Sequence, residues 1–105
     1  MTLRIRFRDE AKAEITSAVD WYDAQRAGLG AEFTEEVNRV LQLAAESPRM
    51  WTCWRGLKSL PEIRRALLSR FPFLIAYLVR DEELVVLAVP HAARRPGYWF
   101  SRARR

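Results

Sequence analysis

Hydrophobic positions change period twice along this chain. In residues 3–8, Leu3, Ile5 and Phe7 alternate with Arg4, Arg6 and Arg8, the period-two pattern of a strand with one buried and one wet face. Outward arginines suit an edge strand, where charge discourages edge-to-edge pairing. From Asp9 the period becomes helical: Ala11, Ile15, Ala18, Val19 and Tyr22 share one face. Asp9 is expected as the N-cap of this first helix, and Gly28 and Gly30 as its break. A second helix is expected from about Ala31 to Glu46. Its inner face is Phe33, Val37, Val40, Leu41 and Ala44, with Glu35, Glu36, Arg39 and Gln42 largely outside. Ser47 and Pro48 end it, because the residue before proline avoids the α region. A short link between two amphipathic helices predicts an antiparallel hairpin lying against a sheet.

The period returns to that of strands in the stretch on which the rest is organised, RRALLSRFPFLIAYLVRDEELVVLAVP, residues 64–90. It holds three apolar runs, with turns expected at Ser69 to Phe73 and Asp81 to Glu83, and so predicts a three-stranded antiparallel meander. In the first of these strands Ile63, Arg65 and Leu67 share one face, and Arg64, Ala66 and Leu68 the other. Only one of the two arginines can therefore be drawn into a partly buried setting or a site, unless a bulge intervenes. The runs from Phe73 to Val79 and from Leu84 to Pro90 are apolar at nearly every position, which requires cover on both faces. The helices supply one cover. Tyr98, Trp99 and Phe100 in the tail, or a partner chain, supply the other. The fold class expected is α+β: an N-terminal edge strand, a helical hairpin, the meander and a basic C-terminal tail in one domain, residues 1–105.

Two stretches carry possible chemistry. Residues 48–61, PRMWTCWRGLKSLP, place Trp51 and Trp54 among Arg55 and Lys58. This pattern closes one end of a core or, read for function, stacks on bases and holds phosphates. Trp21 and Tyr22 are expected as core and rim aromatics. Behind the last strand, HAARRPGYWFSR brings the only histidine, His91, together with Arg94, Arg95, Tyr98, Trp99 and Arg102.

Charge sharpens the picture. The net charge is +5. Residues 1–50 carry seven Lys/Arg against nine Asp/Glu, net −2, and residues 51–105 carry eleven against four, net +7. A basic second half suits an anionic partner or a solubilising surface. Half the residues are hydrophobic, enough for one core without staples. Cys53 is the only cysteine, so no internal disulfide and no multi-cysteine metal site can form, and a reducing cytoplasm is expected. The N-terminus lacks the apolar run of a signal peptide, and the longest apolar run, Phe71 to Val79, is less than half the roughly 20 residues needed to span a bilayer. A soluble protein is expected.

The order strand, helical hairpin, meander, together with IRRALLSRFPFLIAYLV and VLAVPHAARRPGYW, resembles the RelE/ParE superfamily of toxins from type II toxin-antitoxin systems, closer to the ParE branch. AVDWY followed by GLGAEF across the hairpin adds to the likeness, which covers essentially the whole chain. The resemblance implies a small bacterial toxin, of the kind associated with plasmid stabilisation, held inactive by a cognate antitoxin protein. In the ParE branch the target is DNA gyrase, inhibited by binding; in RelE-type members the toxin cuts messenger RNA on the ribosome. A relative that binds nucleic acid without toxicity is a third reading. None of these implies a cofactor, a metal, a membrane or a small-molecule substrate.

Cleavage of RNA by internal 2′-hydroxyl attack needs a proton acceptor, a proton donor and cations facing the phosphate. For that reading the candidates are His91, Arg65, Lys58 and Tyr98. The chain has only two lysines, Lys12 and Lys58, which departs from a multi-lysine RelE site. Inhibition by binding needs only a docking surface, for which the candidates are Arg64, Arg65, Arg94, Arg95, Trp99 and Arg102, residue types enriched at binding hot spots. A disordered acidic antitoxin segment that folds as it wraps the sheet and helices would suit the basic half.

Overall fold

The computed structural model describes residues 2–54, 62–94 and 97–104. They form β1 (Arg4–Phe7), α1 (Asp9–Gln25), α2 (Leu29–Glu46), β2 (Arg64–Leu67), β3 (Leu74–Arg80), β4 (Glu83–Ala88) and a closing 3-10 helix, Phe100–Arg104. The strands make one mixed sheet in the order β1-β4-β3-β2. β2, β3 and β4 are the expected antiparallel meander, and β1 joins its far edge parallel to β4. A parallel partner requires a long crossover, which the helical hairpin provides. β1 is thus an edge strand, and its outward Arg4 and Arg6 lie 3.9 and 3.5 Å from Glu83 carboxylate oxygens.

The β3–β4 turn is tighter than the expected three-residue tip. Arg80 pairs with Glu83 across Asp81 and Glu82, whose φ values are +52° and +64°. Two successive positive φ values give the turn a twist that matches the strands it joins. Farther along, Ala76 faces Ala88 while Tyr77 faces Val86, leaving Leu87 as an extra residue on β4. This bulge turns both Leu87 and Ala88 toward the tail side, while Val86 and Val89 face the helices.

The helices correct three expectations. Asp9 is not the N-cap: Arg8 holds that position with extended backbone and no side-chain cap, and Asp9 is the first helical residue. Its carboxylate still sits in the first turn, where negative charge is favourable. Nor does Gly28 end α1, which stops at Gln25 with the extended Arg26 as its C-cap; Gly28, with φ +89°, is the N-cap of α2. Gly30, by contrast, lies inside α2, which starts at Leu29. A Cβ there would come within 2.7 Å of Val19 Cγ1 and of the Val19 carbonyl, and 2.8 Å of Asp23 Oδ1. The missing side chain lets α2 press directly onto α1, where the Gly30 amide donates to Asp23 Oδ1 at 2.8 Å.

The third correction is Glu36. Expected outside, it is 5% exposed. Its Oε2 accepts the amides of Ser69 and Arg70, each at 2.7 Å, and the Ser69 hydroxyl at 3.2 Å. Arg70 in turn donates to Glu32 at 2.6 Å. Two carboxylates of α2 therefore pin the β2–β3 turn to the helices. Burial pushes the Glu36 carboxyl upward, but the bonds from Arg70, Ser69 and Arg39 outweigh it and hold the group below its ordinary range.

The sheet separates two apolar layers. On the helical side Tyr22, Phe33, Val37 and Leu41 pack on Ile75, Tyr77, Leu84 and Val86. On the other, Ile63, Leu74, Leu78, Val85 and Leu87 lie beneath Trp99 and Ala103. The tail is thus the second cover that the doubly apolar strands demand. Trp51 joins the helical-side layer and Trp54 the tail-side layer, edge-on to Trp99 at 5.3 Å. Both tryptophans close the end of the sheet. Arg55 and Lys58, expected to interleave with them, lie outside the described residues. Among the described residues no helix is long and apolar enough to cross a membrane.

Candidate functional site

Beyond β4 the chain bends at Val89 and Pro90, and His91 forms a last isolated bridge with Phe73. The imidazole is exposed, lies edge-on to Phe73 at 5.2 Å, and accepts the Ala93 amide at Nδ1 over 3.1 Å. That bond requires Nδ1 to be unprotonated, so the ring serves its own turn. Arg94 is exposed, and its guanidinium lies 4.1 Å above the Tyr98 ring.

Under that ring is a carboxylate that the sequence pattern did not single out. Glu14 of α1 accepts the Val89 amide at Oε1 (2.9 Å) and, at Oε2, the Tyr98 hydroxyl (3.0 Å) and Arg102 Nη1 (3.1 Å). Arg102 also donates to the Leu87 carbonyl at 3.0 Å. One side chain thus ties α1, the end of β4 and the tail together. Burial, followed by the charge and hydrogen bond of Glu14, pushes the Tyr98 phenol up to about 12. The spacing held the signal: Glu14 lies three residues after Ala11 and four before Ala18, on the apolar face of α1.

The other candidates divide between surface and scaffold. Of the arginine pair, Arg64 is the one drawn in. It donates to the carbonyls of Trp51 (2.6 Å) and Arg49 (3.4 Å), pairs with Glu62, and fixes the 49–51 segment to β2. Arg65 is exposed and stacks over Trp54 at 5.3 Å, away from His91 and Tyr98. Trp99, nominated as a docking residue, is fully buried, because it is the large side chain that fills the tail-side layer. Arg102 is held by Glu14 and Leu87 with its side chain only 12% exposed, so it too is committed to the fold. Lys58 and Arg95 lie outside the described residues. The structure therefore brings His91, Arg94, Tyr98 and Arg102 to one flank and leaves Arg64 and Arg65 elsewhere.

Beside that flank runs a two-part groove. A cleft of about 370 Å³ is lined by Ala13, Glu14, Ser17 and Ala18 of α1 on one wall and by Phe73, Val89, Pro90, His91, Arg94 and Tyr98 on the other. An apolar slot of about 420 Å³ adjoins it, walled by Trp21, Tyr22, Pro72 and Phe73, and shares Ala18, Phe73 and His91 with the cleft. Trp21 is 60% exposed, edge-on to Tyr22 at 5.1 Å, so of the expected aromatic pair Tyr22 is core and Trp21 stands at the rim of the slot.

Chemically, the flank is better suited to holding than to proton transfer. The Tyr98 hydroxyl is bound to a carboxylate and keeps its proton far above neutral pH, and the nearest cations are spent on Glu14 or stacked on the ring. Burial, then the hydrogen bond to Glu62, raises the Cys53 thiol, which keeps it protonated and unreactive. Among the described residues no cluster of three or more His, Cys, Asp or Glu could hold a metal ion.

The chain matches the family model of the ParE toxin of type II toxin-antitoxin system, parDE, over residues 5–96. Among solved structures it is similar to a chain of the chromosomal ParDE TA system from P. aeruginosa, with a TM-score of 0.71 and 14% identity. That match covers 86% of this chain and 96% of the other, and at such identity the likeness is one of fold. No curated protein matches.

Proposed function

The chain belongs to the ParE toxin family of type II toxin-antitoxin systems, and from that membership we propose that it is a cytoplasmic toxin that inhibits DNA gyrase by binding and is neutralised by a cognate antitoxin. The observation that favours binding over mRNA cleavage is the Tyr98–Glu14–Arg102 cluster. The phenol that a ribonuclease would turn toward a phosphate donates instead to the Glu14 carboxylate at 3.0 Å, an acceptor that Arg102 shares at 3.1 Å. General acid–base catalysis favours a group poised near the working pH, and a phenol pushed up to about 12 is far from it.

Unrepressed expression in bacteria is expected to arrest growth, and co-expression of the neighbouring antitoxin to restore it. Tyr98→Phe keeps the ring beneath Arg94 and removes only the hydroxyl; His91→Ala removes the imidazole. Both variants should still arrest growth. Normal growth under wild-type expression would sink the toxin reading, and a non-toxic Tyr98→Phe or His91→Ala that remains folded would move the function to RNA cleavage.

A further inference from the structure

We propose that Glu14 is a positioning residue for target binding: by holding Tyr98 and Arg102 it fixes the ring on which Arg94 is displayed, so that Arg94 meets the gyrase surface already in place. This rests on the gyrase reading above and adds which side chain makes the contact and what orients it. α1 packs on one face of the sheet through Ala11 and Ala18, and the tail packs on the other through Trp99 and Ala103. Glu14 joins the two past the end of β4, where the Val89 amide donates to its Oε1 at 2.9 Å. Burial of Trp99 and Ala103 holds the tail down, but apolar contact is non-directional and does not set how the tail is turned. Hydrogen bonds to a charged group do. The Tyr98 hydroxyl and Arg102 Nη1 both donate to Glu14 Oε2, at 3.0 and 3.1 Å. Arg102 Nη1 also donates at 3.0 Å to the carbonyl of Leu87, the extra residue of the β4 bulge.

Two guanidiniums stack on the anchored ring, Arg94 at 4.1 Å and Arg102 at 5.3 Å. Glu14 neutralises Arg102. Arg94 is exposed, and among the described residues no carboxylate pairs with it. Its donors are therefore free for an acceptor on the target, while the stack has already fixed the side chain. An arginine held in its docking geometry loses little freedom on binding, and arginine is one of the types enriched at hot spots. Arg65 over Trp54 is a looser version of the same arrangement, at 5.3 Å against 4.1 Å. Losing the Glu14 charge acts on Arg94 in two ways. Tyr98 loses the acceptor that anchors its ring, and Arg102 becomes an uncompensated cation beside a second guanidinium, which it repels.

The test measures inhibition of supercoiling by purified gyrase with the full chain and its variants, each assayed below its thermal midpoint. Arg94→Ala should raise the half-inhibitory concentration about tenfold and Glu14→Gln about fivefold. Arg102→Gln opens the same latch from the tail and should match Glu14→Gln. Glu32→Gln also removes a carboxylate that holds two arginines, Arg26 and Arg70, and should stay within about twofold of wild type. The decisive readout is the double variant: because Glu14 acts through Arg94, adding Glu14→Gln to Arg94→Ala should cost less than about twofold more. Burial and then Glu14 raise the Tyr98 phenol, so its ionisation at lower pH in Glu14→Gln reports that the latch has opened. A folded Glu14→Gln with wild-type potency overturns the proposal. So do losses in the two single variants that multiply in the double, which would make Glu14 a stabiliser of the fold alone. Both results leave gyrase inhibition standing. A wild-type chain that leaves supercoiling unimpaired removes the gyrase reading and the proposal with it.

Discussion

Removing Glu36 tests how the β2–β3 turn is held. In Glu36→Ala the amides of Ser69 and Arg70 lose an acceptor at 2.7 Å, the Ser69 hydroxyl loses one at 3.2 Å, and Arg39 loses an ion pair. Hydrogen bonds to a charged group contribute about 1.5–3 kcal/mol each. Ser69 and Arg70 are exposed, so water replaces part of what the amides lose, and deleting a buried carboxylate also removes its desolvation cost. The net loss should be about 2 kcal/mol. For a domain of this size that lowers Tm by about 8–16 °C. pH gives a second handle. The folded carboxyl is held below its ordinary value of 4.5, so the stabilisation is complete above that value and is lost as pH falls through the folded one. Urea denaturation of wild type and Glu36→Ala at pH 7 and pH 3 should show a gap that narrows in acid. A difference under about 0.5 kcal/mol at pH 7, the range of an ordinary surface substitution, would refute the claim that this carboxylate pins the turn.

Trp99→Ala empties the tail-side layer and should cost about 3–5 kcal/mol in urea denaturation; a loss no larger than that of an exposed residue would show that the tail does not cover the sheet. Tyr77 and Tyr98 are both pushed up to about 12 and Tyr22 is also raised, each first by burial. Absorbance titration should therefore find the tyrosines ionising above the ordinary value near 10. These acids hold their protons longer folded than unfolded, so stability should fall as pH rises from about 10 toward 12. Ionisation of all three near 10 would contradict the burial and Glu14 contacts described here.

Periodicity made the architecture legible, because the alternation in β1, the 3.6-residue repeat of both helices and the doubly apolar β3 and β4 are direct imprints of which faces are covered. The need for a second cover pointed to Trp99 before its position was known, yet its residue type also made it a docking candidate, and burial decides for packing. Where residue type and position disagreed, position won. Glu36 lies between Phe33, Val37 and Val40 on the apolar face of α2, and Glu14 between Ala11 and Ala18 on that of α1, so both acids were bound to face inward. Charge alone suggested solvent for Glu36. Gly30 looked like a breaker because its role, close approach of two helices, leaves no trace in a single sequence. Parity left open which of Arg64 and Arg65 turns inward, and the carbonyls of the 49–51 segment, remote in the pattern, settle it for Arg64. The groove was invisible for the same reason: its walls come from α1, the β2–β3 turn and the tail.

The central claim is a toxin that acts by binding gyrase, and supercoiling by purified gyrase tests it most directly. Added chain should inhibit supercoiling and leave broken DNA, premixing with the antitoxin should abolish both effects, and a parallel ribosome assay should leave messenger RNA intact. Unimpaired supercoiling beside cleaved messenger RNA would contradict it.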